Sequence, residues 1–178
     1  MRRYIFLSVI NFDRSGRLLK YDPRTKKVVV MYKGLAFPNG VALSKDNSFL
    51  LISESFRLRI LKFKLENGGN GYVPEQFAQL SRIPDNIKRN EKGEFWVALN
   101  SGRGRIQKDG QTKLLGDTDF HWFTMDVIGV KYDEDGKILK QLDGNGGLTF
   151  DSVSEVEEFN GKLYIGSVAK PYVGILYA

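Results

Sequence analysis

Short runs of apolar and β-branched residues, each ended by a polar or glycine-containing turn, recur along the whole chain. Runs of about four to eight such residues between turn signals are typical of β-strands. The clearest runs belong to a repeat, which appears as GLAFPNGVALSKDNSFLLISE over residues 34–54 and as LSRIPDNIKRNEKGEFWVALN over residues 80–100. Pro38 and Pro84, which open the two copies, are 46 positions apart. A period of about 40–50 residues with two strands and a tight turn per copy indicates blades of a β-propeller.

The same pattern predicts strands on both sides of the repeat. We predict an all-β propeller fold with about three blades and part of a fourth, in one partial propeller domain over residues 1–178. Three blades would leave open sheet edges, so we expect the chain either to lack its N-terminal half or to complete a ring by self-association. The predicted strands are 4–10, 17–21 and 27–32 in the partial blade; 40–44, 49–54, 57–64 and one ending near 77–78 in the next; 86–89, 94–99, 104–107 and 113–115 in the third; and 154–158, 162–167 and 172–177 at the end.

One region breaks the period. Trp96 and the equivalent Tyr164 are 68 positions apart, whereas Leu51 and Trp96 are only 45 apart, so 68 − 45 = 23 residues lie outside the four-strand pattern. After this region we predict a hairpin whose strands are residues 127–132 and 137–141. We predict that residues 117–126 form a lid insertion, because unstructured loops of that length are uncommon in compact domains unless they are functional.

The composition excludes several classes of partner and site. The 178 residues carry 27 Lys and Arg against 21 Asp and Glu, a net charge of +6, but the basic residues are spread along the chain with no run longer than two. No nucleic-acid-binding motif accompanies them, so we predict no nucleic-acid partner. The absence of cysteine excludes disulfides and thiolate metal sites. No apolar run approaches the roughly 20 residues of a membrane helix. The start of the chain imitates a short signal peptide, but no cleavage site follows, and a strand fits it better.

Four phrases in order resemble the plant strictosidine synthase-like family: SGRLLKYDP (15–23), LAFPNGVALS (35–44), PDNIKRNEKGEFWVAL (84–99) and GKLYIGSV (161–168). That family comprises six-bladed propellers related to paraoxonases and gluconolactonases, which hydrolyse lactones and esters. The resemblance implies that this chain begins midway along a member. It also implies a small-molecule ester or lactone substrate and a location in the secretory pathway or vacuole.

The resemblance further implies a calcium or similar divalent ion on the propeller axis. Asn39, Asp85 and Asn86 match the positions of the ligands that the hydrolytic relatives use. Their amide and carboxylate oxygens are hard donors that suit calcium, although six or more oxygens are needed and three residues do not supply them. The alternative is that these residues only stabilise turns, as Asn and Asp often do.

Three interpretations of function stay open. Strictosidine synthase proper condenses an amine with an aldehyde and uses a glutamate as acid and base, but the matching position here is Ser154. A serine hydroxyl cannot take a proton as a carboxylate does, and the neighbouring Asp151 and Glu155 have the wrong strand parity. We therefore favour a hydrolase-like protein over this Pictet–Spengler condensation. His121 is the candidate base, although a packed or surface role is the alternative. The third interpretation is a non-catalytic or truncated propeller that serves as an interaction domain.

Overall fold

The structure is a computed structural model, which describes residues 11, 13–65, 72–100, 105–108, 111–114, 126–147, 150, 152–168 and 170–177. Two 3₁₀ turns, Ser55–Arg57 and Asn145–Gly147, accompany the strands in these residues. None of the described helical segments is long and apolar enough to cross a membrane. The predicted all-β fold is confirmed, and the strands pair into consecutive antiparallel sheets.

The first two sheets agree with the predicted strands. A two-stranded sheet opens the described chain and a four-stranded sheet, in the order β3-β4-β5-β6, follows it. The bounds are β1 Gly16–Asp22, β2 Lys27–Leu35, β3 Pro38–Leu43, β4 Phe49–Glu54, β5 Arg59–Lys64 and β6 Glu75–Gln79. The first predicted strand, residues 4–10, lies outside the described residues.

The third sheet corrects the sequence prediction. Its order is β12-β11-β8-β7, so the strand that pairs with β8 is the hairpin strand β11 and not residues 104–107. The assignment of 104–107 and 113–115 to this blade was wrong, because β9 and β10 pair only with each other as a separate hairpin. The excess length therefore falls between β8 and β11. The bounds are β7 Ile83–Arg89, β8 Phe95–Asn100, β9 Arg105–Lys108, β10 Gln111–Leu114, β11 Val127–Tyr132 and β12 Ile138–Asp143.

A three-stranded sheet in the order β13-β14-β15 ends the chain. Its strands are β13 Glu155–Phe159, β14 Lys162–Gly166 and β15 Gly174–Tyr177. The described sheets thus amount to two full blades with a partial blade on either side, in agreement with the predicted partial propeller. The first strands of the last three sheets, β3, β7 and β13, contact one another in sequence and form the inner side of the assembly.

The hydrophobic core consists of layers between neighbouring sheets. One layer joins the first and second sheets, a second joins the second and third, and a third joins the third and fourth. Strands β4 and β8 are buried on both faces, which explains their continuous apolar sequences FLLISE and FWVALN. Within the described residues, the end sheets have exposed apolar side chains, which include Leu19, Val28, Phe159 and Ile175.

The inner strands of the second and third sheets, β3 and β7, approach so closely that their backbones are in contact at Gly40. An ideal Cβ added to Gly40 would lie 2.5 Å from the Ile87 nitrogen, so only glycine allows this approach. The Ser53 hydroxyl, at a buried position between the strands, accepts a 2.7 Å hydrogen bond from the Gly40 nitrogen and donates one of 2.6 Å to the Asp85 carbonyl. These contacts set the spacing of the two inner strands.

Candidate functional site

Polar side chains from three consecutive sheets meet at the start of the inner strands. Asn39 lies on β3, Asp85 lies on β7, and Ser154 immediately precedes β13. The Asn39 Nδ2 donates a 2.7 Å hydrogen bond to the Asp85 Oδ1, and the Ser154 hydroxyl also bonds the Asp85 carboxylate. We call these three residues the axial row. The structure therefore brings together two of the predicted metal ligands. It places beside them Ser154, which the sequence analysis considered only because it stands where strictosidine synthase has its catalytic glutamate.

The local backbone explains how the repeated motif presents these side chains. The β3–β4 ladder shifts register between Pro38 and Val41, and the β7–β8 ladder shifts between Pro84 and Ile87. Each irregularity encloses the polar pair of its motif, and shifts of this kind re-aim side chains at a strand end. Pro38 is the first residue of β3 and Pro84 lies beside the register shift of β7, and proline is tolerated at both kinds of position.

The carboxylate at the centre of the axial row is electrostatically unfavourable in its charged form. Burial raises the pKa of Asp85, hydrogen bonds from Asn39 and Ser154 oppose the rise, and the negative charge of Glu155 adds to it. A bound cation would relieve this penalty, since an opposite charge favours the ionised carboxylate. Asp85 therefore differs electrostatically from a fully exposed surface aspartate.

The third predicted ligand, Asn86, has a different observed contact. Its backbone nitrogen donates a 3.1 Å hydrogen bond to the Ser154 carbonyl, which ties β7 to the start of β13. This bond positions Ser154 beside Asp85. Ser154 also receives a 3.2 Å hydrogen bond from the Val168 nitrogen to its Oγ, so the hydroxyl is held from two sides.

The acidic residue that follows Ser154 in the chain is engaged in an ion pair. Glu155 forms a 3.2 Å ion pair with Lys88 of the neighbouring sheet. Asp151, His121 and all of the predicted lid segment except Asp126 lie outside the described residues. The acid–base role predicted for His121 therefore stays a prediction.

The axial row can supply part of a coordination shell. The Asn39 amide nitrogen points to Asp85, which leaves the Asn39 amide oxygen as an acceptor, and Asp85 offers carboxylate oxygens. In the described part of the chain, no group of three or more His, Cys, Asp and Glu side chains is arranged to hold a metal ion. The donors present fit a hard oxygen-seeking ion such as calcium, but further ligands must complete the shell.

A second group of residues escaped the sequence interpretation. The Glu54 side chain, at the end of β4, is completely buried and accepts a 2.7 Å hydrogen bond from the Ala36 nitrogen at Oε1. Its Oε2 accepts a 2.6 Å bond from the Arg59 Nε. Glu54 thereby ties the β2–β3 loop to the β4–β5 turn. The available signal was an apolar strand that ends in glutamate, with arginines three and five positions later.

Comparisons with known proteins agree with the motifs. The family model described as strictosidine synthase matches residues 1–67. The protein strictosidine synthase-like 10 of Arabidopsis thaliana is 42% identical over 188 residues, covering 98% of this chain and 50% of the relative. Strictosidine synthase of Catharanthus roseus is 34% identical over 169 residues, covering 92% of this chain and 42% of the enzyme. The chain spans about half the length of the curated relatives it matches.

Solved structures show the fold. A gluconolactonase from Xanthomonas campestris superimposes with a TM-score of 0.63 at 19% identity, covering 90% of this chain and 44% of that one. Regucalcin from Agrobacterium tumefaciens, described as a calcium-binding protein, gives a TM-score of 0.57 at 14% identity, covering 85% of this chain and 44% of that one. These similarities confirm the partial β-propeller.

Proposed function

Because the chain is similar to strictosidine synthase-like proteins along almost its whole length, as its motifs predicted, we propose that it forms part of a hydrolase-like site with a divalent ion on the propeller axis. The substrate class is a small ester or lactone. The observation that carries the proposal is the axial row, in which a half-buried aspartate with a raised pKa is hydrogen bonded by residues of both neighbouring sheets.

Each residue has a distinct part in this proposal. Asp85 supplies the charged ligand, and the Asn39 amide supplies a neutral oxygen while its nitrogen holds the carboxylate in place. Asn86 adds a further amide at the same strand end, and its backbone keeps Ser154 beside Asp85. When bound, the ion would polarise the carbonyl of an ester or lactone as a Lewis acid. In this proposal the chain's own residues bind the ion and orient the substrate.

The printed descriptions of the structural neighbours support this assignment. One neighbour is a gluconolactonase and another is a calcium-binding protein, and both share the propeller architecture described above. Similar folds host different chemistries, so this support is an analogy and the axial row provides the physical basis.

Calcium-dependent stabilisation tests the metal site. A ligand that binds only the folded state stabilises it by about 2.7 kcal/mol at a hundredfold excess over its Kd. For a chain of this size that corresponds to a rise in Tm of roughly 5–10 °C. We expect calcium to raise the Tm of the wild-type chain after EDTA treatment, and we expect Asp85→Asn and Asn39→Ala to abolish the rise.

A charge-matched control separates this effect from a general response to net charge. Asp135 is an exposed aspartate in the β11–β12 turn, so Asp135→Asn should keep the full calcium response. If Asn39→Ala and Asp85→Asn retain the wild-type shift, the axial metal site is refuted.

Activity assays distinguish the remaining interpretations. We expect turnover of p-nitrophenyl acetate or δ-valerolactone that EDTA suppresses and calcium restores. Calcium stabilisation without any turnover would support the non-catalytic interaction domain. Tryptamine and secologanin should give no condensation product, because Ser154 provides no carboxylate; formation of product would overturn that exclusion.

A further inference from the structure

A cavity of about 500 Å³ opens beside the β4–β5 turn, on the side of the fold where the motif prolines begin the inner strands. We propose that this cavity, the loop cavity, binds a small organic anion that has an apolar body and one anionic group. The view that this anion is the substrate rests on the proposed function, whereas the binding itself does not. Its lining residues are Asp13, Arg14, Ala36, Ser55–Leu58 and Ile83.

The volume of the cavity and the apolar residues of its wall indicate the size and polarity of the ligand's body. Ligand cavities of about 300–1,000 Å³ hold drug-sized molecules. Ala36, Phe56, Leu58 and Ile83 contribute apolar surface from separate chain segments. An aromatic or fused-ring body of one or two rings matches such a wall better than a sugar does.

The walls of the loop cavity are held in place before any ligand binds. The buried Glu54 carboxylate joins the Ala36 nitrogen to Arg59, and the Ser55 hydroxyl donates a 2.7 Å hydrogen bond to the Pro84 carbonyl. The Ser55 nitrogen also donates a 3.1 Å bond to the Phe37 carbonyl. The β2–β3 loop, the β4–β5 turn and the start of β7 are thus fixed to one another, which reduces the ordering that a ligand would otherwise have to induce.

Two residues with left-handed backbone conformation lie at or beside the cavity wall. Leu58 has a φ of 51° and Phe37 a φ of 54°, a left-handed conformation that is uncommon for residues other than glycine. The Phe37 ring stacks on Phe56 with centroids 4.5 Å apart, which supports the cavity wall from behind. Strained residues persist where surrounding contacts enforce them, and they cluster at ligand sites.

The charges at the wall select an anion. Arg57 approaches the Glu54 Oε1 only to 3.8 Å, which is beyond hydrogen-bond distance, because the Ala36 nitrogen and Arg59 hold that carboxylate more closely. The Arg57 side chain is 31% exposed at the cavity. Arg14 adds a second guanidinium, so the lining has two positive charges against the single negative charge of Asp13, whose carboxylate accepts a 2.8 Å hydrogen bond from the Ser15 nitrogen. Guanidinium groups recognise carboxylate, sulfonate and phosphate groups by paired hydrogen bonds.

A matched pair of fluorescent probes tests the proposal on the full chain. 8-Anilinonaphthalene-1-sulfonate and N-phenyl-1-naphthylamine share an apolar body, and only the first has an anionic group. We expect one saturable sulfonate site per chain and weaker binding of the neutral probe. Arg57→Gln should weaken sulfonate binding about tenfold, the equivalent of one charge-assisted hydrogen bond, and should leave the neutral probe unchanged.

Two further variants make the result specific. Ile83→Glu places a negative charge in the apolar wall and should weaken binding of both probes. Arg24→Gln, in the β1–β2 turn away from the cavity, should change neither. If Arg57→Gln binds both probes like the wild type, or weakens them equally, the anion site is wrong. If Asn39→Ala retains both probe binding and the wild-type calcium response, the axial proposal alone is refuted.

Discussion

Substitution of Gly40 by alanine tests whether the close approach of two inner strands builds the axial row. The new Cβ would lie 2.5 Å from the Ile87 nitrogen and 2.7 Å from the Asn86 Cα, and both are backbone atoms that no rotamer change can move. Ordinary Cβ contacts begin at 3.4 Å, so the strands must separate by 3.4 − 2.5 = 0.9 Å. A displacement of that size would lengthen the 2.6 Å bond from Ser53 to the Asp85 carbonyl beyond hydrogen-bond range.

The expected loss of stability follows from these two effects. Overpacking a close contact costs about 1–3 kcal/mol, and a lost hydrogen bond costs about 1 kcal/mol. We therefore expect Gly40→Ala to lower the free energy of unfolding by about 3 kcal/mol, or Tm by roughly 6–12 °C. Urea denaturation followed by the fluorescence of the buried Trp96 measures this change. The calcium response should also weaken, because Asn39 and Asp85 lie on the two separated strands.

Gly34→Ala is the matched control for this experiment. Gly34 has a φ of +90° and nothing lies within 4 Å of its ideal Cβ, so alanine there meets backbone strain but no steric conflict. We expect a loss of about 1 kcal/mol with the calcium response intact. Equal destabilisation by both variants, or a change below about 0.5 kcal/mol for Gly40→Ala, would refute the role assigned to the strand contact.

Two further predictions concern buried polar groups. Glu54→Gln should destabilise the fold by about 2–4 kcal/mol because it leaves Arg59 without its buried charged partner. Glu75→Gln, in the exposed pair with Lys64, should change stability by less than about 1 kcal/mol. Equal effects of the two variants in urea denaturation would contradict this prediction. Burial raises the pKa of Tyr132 to about 12 from its ordinary 10.0. The folded state therefore keeps its phenol proton where the unfolded state loses it, so stability is fully present below pH 10 and falls by about 2–3 kcal/mol as pH rises to 12. Tyr132→Phe should remove that component of the alkaline loss, and an unchanged pH profile would show that other groups cause it.

The repeat made most of the blade architecture predictable. Proline, asparagine and the following apolar strand recur at fixed spacing, and the structure places Pro38 and Pro84 at the start of equivalent inner strands. The wrong strand in the third sheet has a physical reason. Strands β9 and β10 pair with each other, and local strand propensity does not reveal which strand will pair with β8.

The candidate site was predictable only in part. Asn39 and Asp85 stood out because their motifs repeat, and the structure joins them by a hydrogen bond. The contribution of Ser154 depends on contacts between blades that lie about 70 positions apart in the chain. The loop cavity depends on Glu54, whose burial follows from the packing of three loops. Long-range packing of this kind leaves little trace in local sequence.

The arrangement of the apolar core between sheets, and not within them, has a consequence for unfolding. Each sheet buries its faces only against its neighbours, so the free energy of folding is stored at the interfaces in a nearly linear series. In the part of the chain that the structure describes, the end sheets have one such interface and the inner sheets have two. Opening should therefore start at β1–β2 and at β13–β15 and advance inwards, with amide hydrogens of β4 and β8 exchanging last.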